Sequence, residues 1–503
     1  MKTQKDWFKD RGYPHFTNKT PLFIRKNIEY YVTNQKKVAH HSFSPLIFKE
    51  IKQRRYKISD FNGIEKRSHK KFKNGKIISN TKIREILYAT HIDAHIYSYY
   101  TQQIITPKYE ACLNKIPLVS NAITAYRKIE TGDKLKFKNN VHFAKDVFEE
   151  IKQRENCVAL VLDIENFFPS LNHKKLKLAW AKILGHKTLP KDHFNLFKAT
   201  TNFSYVKLKD LKTKNGHFDE KELVKLKKEG KHTFFNSIKD LIDSDIIIHK
   251  NQKKDNEGNL MGIPQGLPIS AILANIYMLD FDKAVINELT LKHNVFYRRY
   301  SDDIVMLCDK SQIQPIEDFV EKEVLKNKLK VSIEKTERTL FKNNNGKLQS
   351  YRIENNGDLK ENIPLNYLGF EFYGYQTLIK SKNLAKFYRE MKQTIKRKHK
   401  RVETIKEKHL LDEAPIFKSK LYRLFSFKGE KSRMLPARKT VFINGKAETE
   451  CFERKFRGNY IRYAYRAANE LNAPEIKRQL RNHWKILQKT MKKYDFSNVK
   501  KEP

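Results

Sequence analysis

The sequence predicts an α+β fold, in which a mixed first part of strands and helices precedes an all-α, basic C-terminal domain. Three observations support this prediction. Short runs rich in β-branched residues, such as residues 158–164, are typical of buried strands. Other stretches repeat apolar residues at helical spacing. From about Lys380 onward the pattern is helical, and twelve Lys or Arg residues stand against three Glu residues between Lys380 and Lys408.

Length and charge indicate a large protein with an anionic partner. A chain of 503 residues is long enough for two or three structural units. Lys and Arg number 102 against 57 acids, which gives a formal net charge of +45. Nucleic acid is the expected partner, because the neutralisation of phosphates releases counterions and drives binding. A Lys-rich proteome would also raise this charge, and net charge alone leaves that alternative open.

The four cysteines, Cys112, Cys157, Cys308 and Cys451, lie far apart and include no CxxC pair. This spacing argues against a common zinc site and against a disulfide framework. The N-terminal residues are polar, and no run of 18 apolar residues follows. We therefore expect a reduced, cytoplasmic, soluble protein without a membrane partner.

Several elements follow from periodicity and turn signals. A polar, Lys-rich segment at about 185–258 reads as an insertion, helical around 220–228 and 234–247. Helices are expected over about 82–103, 141–154 and 449–493, the last of them after a Pro/Arg-rich break near 434–439. Strand signals lie at 158–164, 295–307, 329–341 and 367–375, with a hairpin or loop at 343–362.

Two adjacent acids, Asp302 and Asp303, lie between apolar, strand-forming stretches in the segment YRRYSDDIVML. In a hairpin, adjacent side chains point to opposite faces, so one carboxylate would face a cleft and the other would support it. A solvated turn is the alternative that this pair alone leaves open. Asp163 favours the first interpretation, because it ends the apolar run VALVLD, where an unpaired acid is costly. Two such strands meeting at one point suit Mg²⁺ and an in-line displacement at phosphorus.

The segment GIPQGLPIS at residues 262–270 lies between these acids and precedes an apolar helical run, residues 271–278. Gly and Pro shape a tight loop whose backbone can approach a ligand closely. A helix that begins after Pro268 fits the preference for Pro at the first helical turn. This loop is a candidate binding element.

Five motifs, LDIENFF, GIPQGLPIS, YSDD, IEKTE and NYLGF, resemble the palm motifs of reverse transcriptases in sequence and in order, over about Lys82 to Tyr375. The resemblance implies right-hand polymerase fingers and palm, an antiparallel sheet with helices, over residues 1–375. Residues 376–503 would form an all-α helical domain in the place of the thumb. It also implies an RNA-directed DNA polymerase, a nucleotidyltransferase that uses dNTPs, Mg²⁺ (with Mn²⁺ as an alternative) and an RNA template or nascent DNA.

The resemblance implies roles for individual residues. Asp163 and Asp302 would be the primary metal ligands, with Asp303 as the third acid and the Ile164 carbonyl as a further ligand. Lys335 would donate a proton to pyrophosphate, or would be a solvated charge at a strand end. The remaining implied roles are a steric gate against the ribose 2′-hydroxyl at Phe168, nucleotide and template contacts at Gln265 and Gly266, triphosphate contacts at Arg127 and Lys128, and a primer grip at Tyr367, Leu368 and Gly369. Phe167 and Phe168 could instead both be core aromatics.

The plan of a palm followed by a basic helical region resembles the bacterial abortive-infection and defence-associated reverse transcriptases. That resemblance implies anti-phage function, homo-oligomerisation and, in some members, untemplated synthesis primed from a protein hydroxyl. Tyr460, Tyr463 and Tyr465 are the candidate priming residues, although tyrosines at this spacing also pack in cores or stack on bases. A retron-like or group II intron-like enzyme that serves a specific structured RNA, and a catalytically inactive nucleic-acid-binding scaffold, are the alternatives. Neither a Val-Thr-Gly triplet after the palm nor a Cys-containing endonuclease module is present.

Overall fold

The computed structural model describes most of the chain. The described residues are 7–9, 11–17, 24–61, 64–73, 76–132, 137–211, 223, 226, 233–235, 237–410, 418–443 and 446–494. The strands, in chain order, are β1 Leu46–Arg54, β2 Lys57–Phe61, β3 Ile64–Ser68, β4 Lys70–Lys73, β5 Lys76–Ser79, β6 Thr81–Tyr88, β7 Cys157–Asp163, β8 Ser204–Lys207, β9 His249–Lys250, β10 Phe296–Tyr300, β11 Asp303–Cys308, β12 Glu337–Asn344, β13 Lys347–Ile353, β14 Leu359–Glu361, β15 Leu365–Tyr367, β16 Phe370–Phe372, β17 Thr377–Ile379, β18 Arg433–Ile443 and β19 Lys446–Phe456.

Helices surround these strands. The α-helices are Arg25–Thr33, Gln35–Ala39, His91–Tyr99, Thr106–Asn114, Pro117–Ala122, Asn140–Arg154, Phe167–Ser170, His173–Leu184, Lys191–Thr201, Leu208–Leu211, Ile238–Ile242, Ser270–Tyr277, Leu279–Val285, Leu291–His293, Ile313–Lys326, Ser381–His409, Lys418–Phe425, Tyr460–Glu470, Glu475–Gln479 and His483–Lys493. Helical turns of π type cover Tyr100–Ile105 and Ile286–Thr290. Within the described part of the chain, no helix combines the length and apolar character needed to cross a bilayer.

The largest sheet has six strands in the order β10-β11-β7-β12-β13-β14, and every neighbouring pair is antiparallel. A second sheet has the order β6-β1-β8-β9, in which only the β1–β8 pair is parallel. Strands β15, β16 and β17 form a third, antiparallel sheet. The predicted α+β class is confirmed in this form, as helices mixed with mainly antiparallel sheets.

Strand β7 is apolar almost throughout because its sheet lies between two cores. Val158, Leu160 and Leu162 point into the core that contains the helices His173–Leu184 and Ser270–Tyr277. Cys157 and Ala159 point into the other core, which they share with the C-terminal helices. Side chains alternate between the faces of a strand, so a sheet covered on both faces has apolar residues at every position. The apolar run VALVLD is therefore explained by burial of β7 on both faces.

The C-terminal helices cover one face of this sheet. Phe387 and Met391 of the helix Ser381–His409, together with Ile461, are buried in the same core as Ala159 and Val305 of the sheet. The boundary proposed at residue 376 and the division into two domains stay predictions.

The expectation that the C-terminal region is all-α is wrong in one respect. Strands β18 and β19 pair over eleven residues each, from Arg433↔Phe456 to Ile443↔Lys446. The sequence signal was the dipeptide Asn444-Gly445 between two strand-forming runs, which is typical of a hairpin. The sequence interpretation overlooked this hairpin. It took residues 434–439 as a break and residues 449–456 as helical.

The predicted helix at 82–103 is also corrected. Residues 81–88 form β6, which pairs with β1 along eight positions, and the helix begins only after the N-cap Thr90, whose hydroxyl accepts a hydrogen bond from the Asp93 amide. Pairing along a whole strand outweighs the helical spacing of a few apolar residues. As a result Lys82 and Arg84 lie on one face of a strand.

The predicted insertion at about 185–258 contributes to two parts of the fold. Its helix Lys191–Thr201 packs in the same core as Val158, Leu160 and Leu162 of β7. Its strands β8 and β9 extend the sheet of β1 and β6. A third, smaller core contains Ile47, Val206 and Leu241. The helix predicted at 220–228 lies outside the described residues except Leu223 and Leu226, and the one predicted at 234–247 is a short helix, Ile238–Ile242.

Candidate active site

Strand pairing brings the predicted acids together. The hairpin β10–β11 turns at Ser301 and Asp302, where Ser301 has a left-handed φ of +64°. Asp303, the first residue of β11, lies directly opposite Asp163, the last residue of β7. Directly opposed residues of an antiparallel pair project from the same face. The Ile164 amide donates a hydrogen bond of 3.2 Å to the Asp302 carbonyl and fixes the turn against β7.

The three carboxylates repel one another. Burial, followed by the charges of Asp302 and Asp163, raises the pKa of Asp303 to about 7. Burial also raises the pKa of Asp302, and the Asp163 carboxylate adds to the shift. Desolvation and like charge both disfavour the ionised form. The arrangement is thus a concentrated negative charge that requires cations.

Lys335 provides one such cation. It ends the short 3₁₀ turn Ile333–Lys335, and its ammonium group contacts the Asp163 carboxylate. The turn is held in place because the Ser332 amide donates a hydrogen bond of 2.8 Å to the Asp163 carbonyl. The structure therefore brings Lys335 to the acids, as the sequence predicted, and leaves its chemical role as a prediction.

Further basic residues that the sequence interpretation missed lie around the acids. The Lys82 charge opposes the rise in the pKa of Asp302, and the Lys380 and Lys335 charges oppose the rise in the pKa of Asp303. Burial lowers the pKa of Lys82, and the neighbouring Arg55 and Arg84 charges lower it further. Mutual repulsion of this kind marks a site that is prepared for an anion. Basic residues at positions 82 and 84 have the alternate spacing of one face of a strand, and this was the available signal. It was missed because the segment was predicted to be helical.

Residues 215–372 match a protein-family model whose description is reverse transcriptase (RNA-dependent DNA polymerase). The matched segment includes Gln265, Asp302, Asp303 and Lys335. This part of the chain matches the reverse transcriptase family. The predicted enzyme class, an RNA-directed DNA polymerase, is confirmed at the level of this domain. Asp163 precedes the matched residues, and the register of β7 against β11 joins it to the domain.

Solved structures similar to the chain include telomerases. The telomerase of Candida albicans, solved with a fragment of telomeric RNA, is 12% identical with a TM-score of 0.35 and covers 74% of this chain and 54% of its own. An apo telomerase of Candida tropicalis is 13% identical with a TM-score of 0.35. The match covers 75% of this chain and 57% of the telomerase chain. The chain thus spans little more than half the length of these structures. The comparison with curated protein sequences gave no match.

The donor set of the reverse transcriptase domain suits a divalent cation. Carboxylate oxygens are the ligands that Mg²⁺ prefers, and the raised pKa of Asp303 reflects a charge that such an ion would neutralise. Among the described residues, however, no three His, Cys, Asp or Glu side chains are arranged around one point. The Asp163 carboxylate is paired with Lys335 instead. The metal-ligand roles of Asp163, Asp302, Asp303 and the Ile164 carbonyl therefore stay predictions.

A buried ion pair supports the turn that carries Asp302. The guanidinium of Arg299 donates hydrogen bonds of 2.7 and 2.6 Å to Asp282, and both side chains are fully buried. The same guanidinium donates to the Ser301 carbonyl at 3.1 Å and to the Asn275 side chain at 3.3 Å. Asn275 in turn donates to the Ala125 carbonyl at 3.0 Å. This network ties the turn of Asp302 to the helices after the Gln265 loop.

Arg299→Met is expected to destabilise the protein by about 3–5 kcal/mol, because it leaves the Asp282 carboxylate buried without a partner. The measurement is the free energy of unfolding in urea. Arg338→Met, which breaks the partly exposed pair with Glu317, is the control and is expected to cost about 1 kcal/mol or less. Equal losses in the two variants would contradict the role given to the buried pair.

The loop that carries Gln265 and Gly266 is held by its backbone. The Leu87 amide donates a hydrogen bond of 2.8 Å to the Gln265 carbonyl, and the Ile263 amide donates one of 3.0 Å to the Phe168 carbonyl. Gly266 has a φ of +121°, and a Cβ at this position would lie 2.5 Å from the Leu87 carbonyl oxygen. Only glycine fits at this position, because the Leu87 carbonyl of strand β6 leaves no room for a Cβ atom. The predicted nucleotide contacts of Gln265 and Gly266 stay predictions.

Gly266→Ala is expected to lower the free energy of unfolding by at least about 2 kcal/mol, because both the backbone conformation and the space exclude a methyl group. Gly258→Ala is the matched control. Gly258 also has a positive φ, of +83°, but a Cβ there would meet nothing within 4 Å. A cost of about 1 kcal/mol is expected for the control. Denaturant unfolding of both variants measures the difference, and equal costs would count against the contact with Leu87.

Phe167 and Phe168 have different environments. Phe167 is buried in the core, whereas Phe168 is only partly buried beside it, with ring centroids 5.5 Å apart. Of the two aromatics, Phe168 is therefore the one that retains a surface for a ligand. Its assignment as the steric gate is untested and stays a prediction.

The side chain of Arg127 is engaged elsewhere. Its guanidinium pairs with Glu110 at 2.6 Å and donates to the Ile123 carbonyl at 2.8 Å, and only 5% of the side chain is exposed. Lys128 is exposed, and its ammonium lies 5.5 Å from the centre of the Phe137 ring. These placements give no support to the predicted triphosphate contacts.

The predicted primer grip is the turn between β15 and β16. Tyr367 is 2% exposed, burial raises its pKa, and its hydroxyl has no hydrogen-bond partner among the described residues. Leu368 and Gly369 form the turn with φ values of +43° and +97°. Asn140 donates a hydrogen bond of 3.2 Å to the Leu368 carbonyl. The turn is well anchored, and its contact with a primer stays a prediction.

The candidate priming tyrosines belong to the helix Tyr460–Glu470. Tyr460 stacks on Phe387 at a centroid distance of 4.7 Å, burial raises its pKa, and its hydroxyl is buried. The Tyr463 hydroxyl accepts a hydrogen bond of 3.0 Å from Asn140. Tyr465 is partly exposed, with the Lys477 ammonium 5.9 Å from its ring centre. Packing therefore accounts for Tyr460 and Tyr463, and priming by any of the three stays a prediction.

Proposed function

We propose that the chain is a metal-dependent DNA polymerase that adds dNTPs to a 3′-hydroxyl, with an RNA template or without a template, and that it acts in anti-phage defence. The observation that carries the polymerase part is the register that sets Asp163 opposite Asp303, next to Asp302. The basic residues around these acids support it, because a dNTP carries its charge on the triphosphate.

Each part of the proposed site has a task that its chemistry suits. The carboxylates of Asp163, Asp302 and Asp303 would hold Mg²⁺ or Mn²⁺. A divalent ion bound there supplies positive charge at the attacking and leaving oxygens. Lys82 and Lys380 would attract the triphosphate, and Lys335 would donate a proton to pyrophosphate. Phe168 would contact the sugar ring.

The nucleic-acid partner would bind the basic surface. The helix Ser381–His409 buries Phe387, Met391 and Ile395 and exposes most of its Lys and Arg residues. A row of exposed cations along a helix neutralises consecutive phosphates. RNA template and nascent DNA are the proposed ligands. Homo-oligomerisation belongs to the same proposal and rests on the family resemblance. A cytoplasmic location is also proposed and rests on the wide spacing of the four cysteines.

The defence part of the proposal rests on the plan of the chain, a palm followed by a basic, largely helical region. Its test is plaque formation on bacteria that express the wild-type chain or the variant Asp302→Asn. Protection by the wild type alone supports the proposal. Protection by both would separate the defence role from polymerisation, and protection by neither would overturn the defence role.

The polymerase part is tested by incorporation of labelled dNTPs with purified protein and Mg²⁺, in reactions with and without an RNA template and primer. Product in both reactions would indicate untemplated synthesis, and product with template alone would indicate a templated enzyme. Equal product from wild type and Asp302→Asn would overturn the proposal. Label that remains on the protein in detergent and is released by protease would indicate a protein primer.

A further inference from the structure

Tyr126 contacts the turn that carries Asp302. Its hydroxyl donates a hydrogen bond of 3.3 Å to the Ser301 hydroxyl, and Ser301 is 4% exposed. Burial raises the pKa of Asp302, and hydrogen bonding from the Ser301 side chain opposes that rise. A tyrosine that belongs to none of the five sequence motifs is therefore joined to one of the three acids through a single buried hydroxyl.

The segment before this tyrosine is fixed along the edge of the six-stranded sheet. Ile123 forms a parallel bridge with Arg299 of β10, the outermost strand. The Thr124 amide and the Thr124 hydroxyl both donate to the Arg299 carbonyl, at 3.0 and 2.9 Å. The next carbonyl, that of Ala125, accepts the hydrogen bond from Asn275. Three consecutive residues are thus tied to the groups that also hold the turn.

This anchoring places Tyr126 in an unfavourable backbone conformation. Its φ is +63°, a value that bulky residues rarely adopt. Such conformations persist where the surrounding structure imposes them, and they are concentrated at functional sites. The side chain is 52% exposed, so burial of the ring offsets little of the strain. The contact that the conformation secures is the one with Ser301.

We propose that Tyr126 is a positioning residue, which orients the Asp302 carboxylate for a divalent cation through the Ser301 hydroxyl. The tyrosine hydroxyl donates to the serine oxygen, so the serine hydrogen stays directed at the carboxylate. Hydrogen bonds from such outer groups orient the ligands of a metal ion and tune its affinity. The role requires neither a bond to the cation nor a proton transfer. The inference rests on the proposed polymerase function, because that proposal assigns Asp302 to the cation.

Tyr126→Phe tests the role, since it removes the hydroxyl and keeps the ring and the backbone. Isothermal titration of the full chain with Mn²⁺ measures the Kd in the absence of polymerisation. Loss of one hydrogen bond is expected to weaken Mn²⁺ binding about two- to tenfold. With saturating Mg²⁺, kcat for dNTP incorporation is expected to fall by a similar factor, whereas KM for the dNTP stays unchanged.

Tyr375→Phe is the matched control and is expected to change none of these quantities. Tyr375 is also an exposed tyrosine, and its hydroxyl donates a hydrogen bond of 3.1 Å to the Asn362 side chain.

A double-mutant cycle with Ser301→Ala tests the path. If Tyr126 acts through Ser301, then Tyr126→Phe has no further effect on the Kd for Mn²⁺ in the Ser301→Ala background. The same loss in both backgrounds would overturn the proposal, and so would an unchanged Kd in the single variant Tyr126→Phe. If Ser301→Ala fails to fold, Ser301→Gly replaces it, because glycine adopts the φ of +64° without strain.

The kinetic constants separate positioning from direct contact. A raised KM for the dNTP with unchanged kcat in Tyr126→Phe would also overturn the proposal, because the hydroxyl would then bind the nucleotide itself. The proposed polymerase function fails separately, if dNTP incorporation is the same in wild type and Asp302→Asn. Loss of incorporation in Asp302→Asn, together with normal Mn²⁺ affinity in Tyr126→Phe, refutes the positioning role alone.

Discussion

Asp302→Asn is expected to reduce dNTP incorporation on the order of 10³-fold or more, the loss typical of removing an essential catalytic group. Asp302 occupies the turn between β10 and β11, and its carbonyl is bonded to the Ile164 amide, so the backbone holds its side chain next to Asp163. Asparagine preserves shape and hydrogen bonding but removes the charge that attracts a divalent ion. Initial rates with saturating Mg²⁺ measure the effect.

The same variant is expected to be at least as stable as the wild type without metal. The pKa of Asp303 is about 7 because of burial and of the Asp302 and Asp163 charges, so at pH 8 the ionised group destabilises the fold. Removing the Asp302 charge relieves part of that repulsion. Mg²⁺ is expected to raise the Tm of the wild type more than that of Asp302→Asn, because an ion that binds the native state stabilises it.

Asp318→Asn is the matched control, because Asp318 lies on the helix Ile313–Lys326 and its carboxylate accepts a hydrogen bond from Gln314 at an exposed position. It is expected to change neither the rate nor the response of the Tm to Mg²⁺. A response to Mg²⁺ that is equal in wild type and Asp302→Asn would contradict metal binding by this acid. A normal rate in Asp302→Asn would contradict its catalytic role.

Phe168→Val is expected to increase the use of rNTPs relative to dNTPs by on the order of 10- to 100-fold, as judged from the ratio of kcat/KM values. The partly buried ring follows Asp163 by five residues and would exclude the ribose 2′-hydroxyl by contact. A pocket that discriminates by space alone achieves selectivities of about this size. Valine opens the space but remains apolar beside Phe167, so incorporation of dNTPs is expected to persist.

Phe167→Leu is the control for this prediction. Phe167 is 3% exposed and packs in the core, so its replacement is expected to lower stability and to leave the selectivity between the two sugars unchanged. If Phe167→Leu altered the selectivity and Phe168→Val did not, the gate would have been assigned to the wrong ring. If neither variant altered it, the gate would lie elsewhere in the chain.

The grouping of the acids could be predicted from the sequence because it depends on local patterns. Asp163 ends an apolar strand and Asp302-Asp303 interrupts two strand-forming stretches, so both were recognisable without knowledge of the pairing. The register that joins them involves residues about 140 positions apart along the chain, and only the motif order indicated it. Lys335 was found in the same way.

Features that depend on tertiary contacts were missed. Lys82 affects the pKa of Asp302 from strand β6, and helical spacing could not reveal that this segment pairs with β1 as a strand. The pairing of the Arg127 guanidinium with Glu110, 17 residues earlier, is another such contact, and the triphosphate contact of Arg127 stays a prediction. The hairpin β18–β19 was overlooked because Pro436 and the basic residues near it suggested a break, although the turn dipeptide was visible.

The two-sided burial of the six-stranded sheet has a consequence for substitutions in its strands. Alternate positions of β7 and β11 contribute to the core of the C-terminal helices, and the positions between them contribute to the other core. Exchange of the C-terminal region for an unrelated one would leave Ala159, Val305 and Leu307 without matching neighbours. We therefore expect substitutions in the C-terminal core and in β7 or β11 to be coupled in their effects on stability.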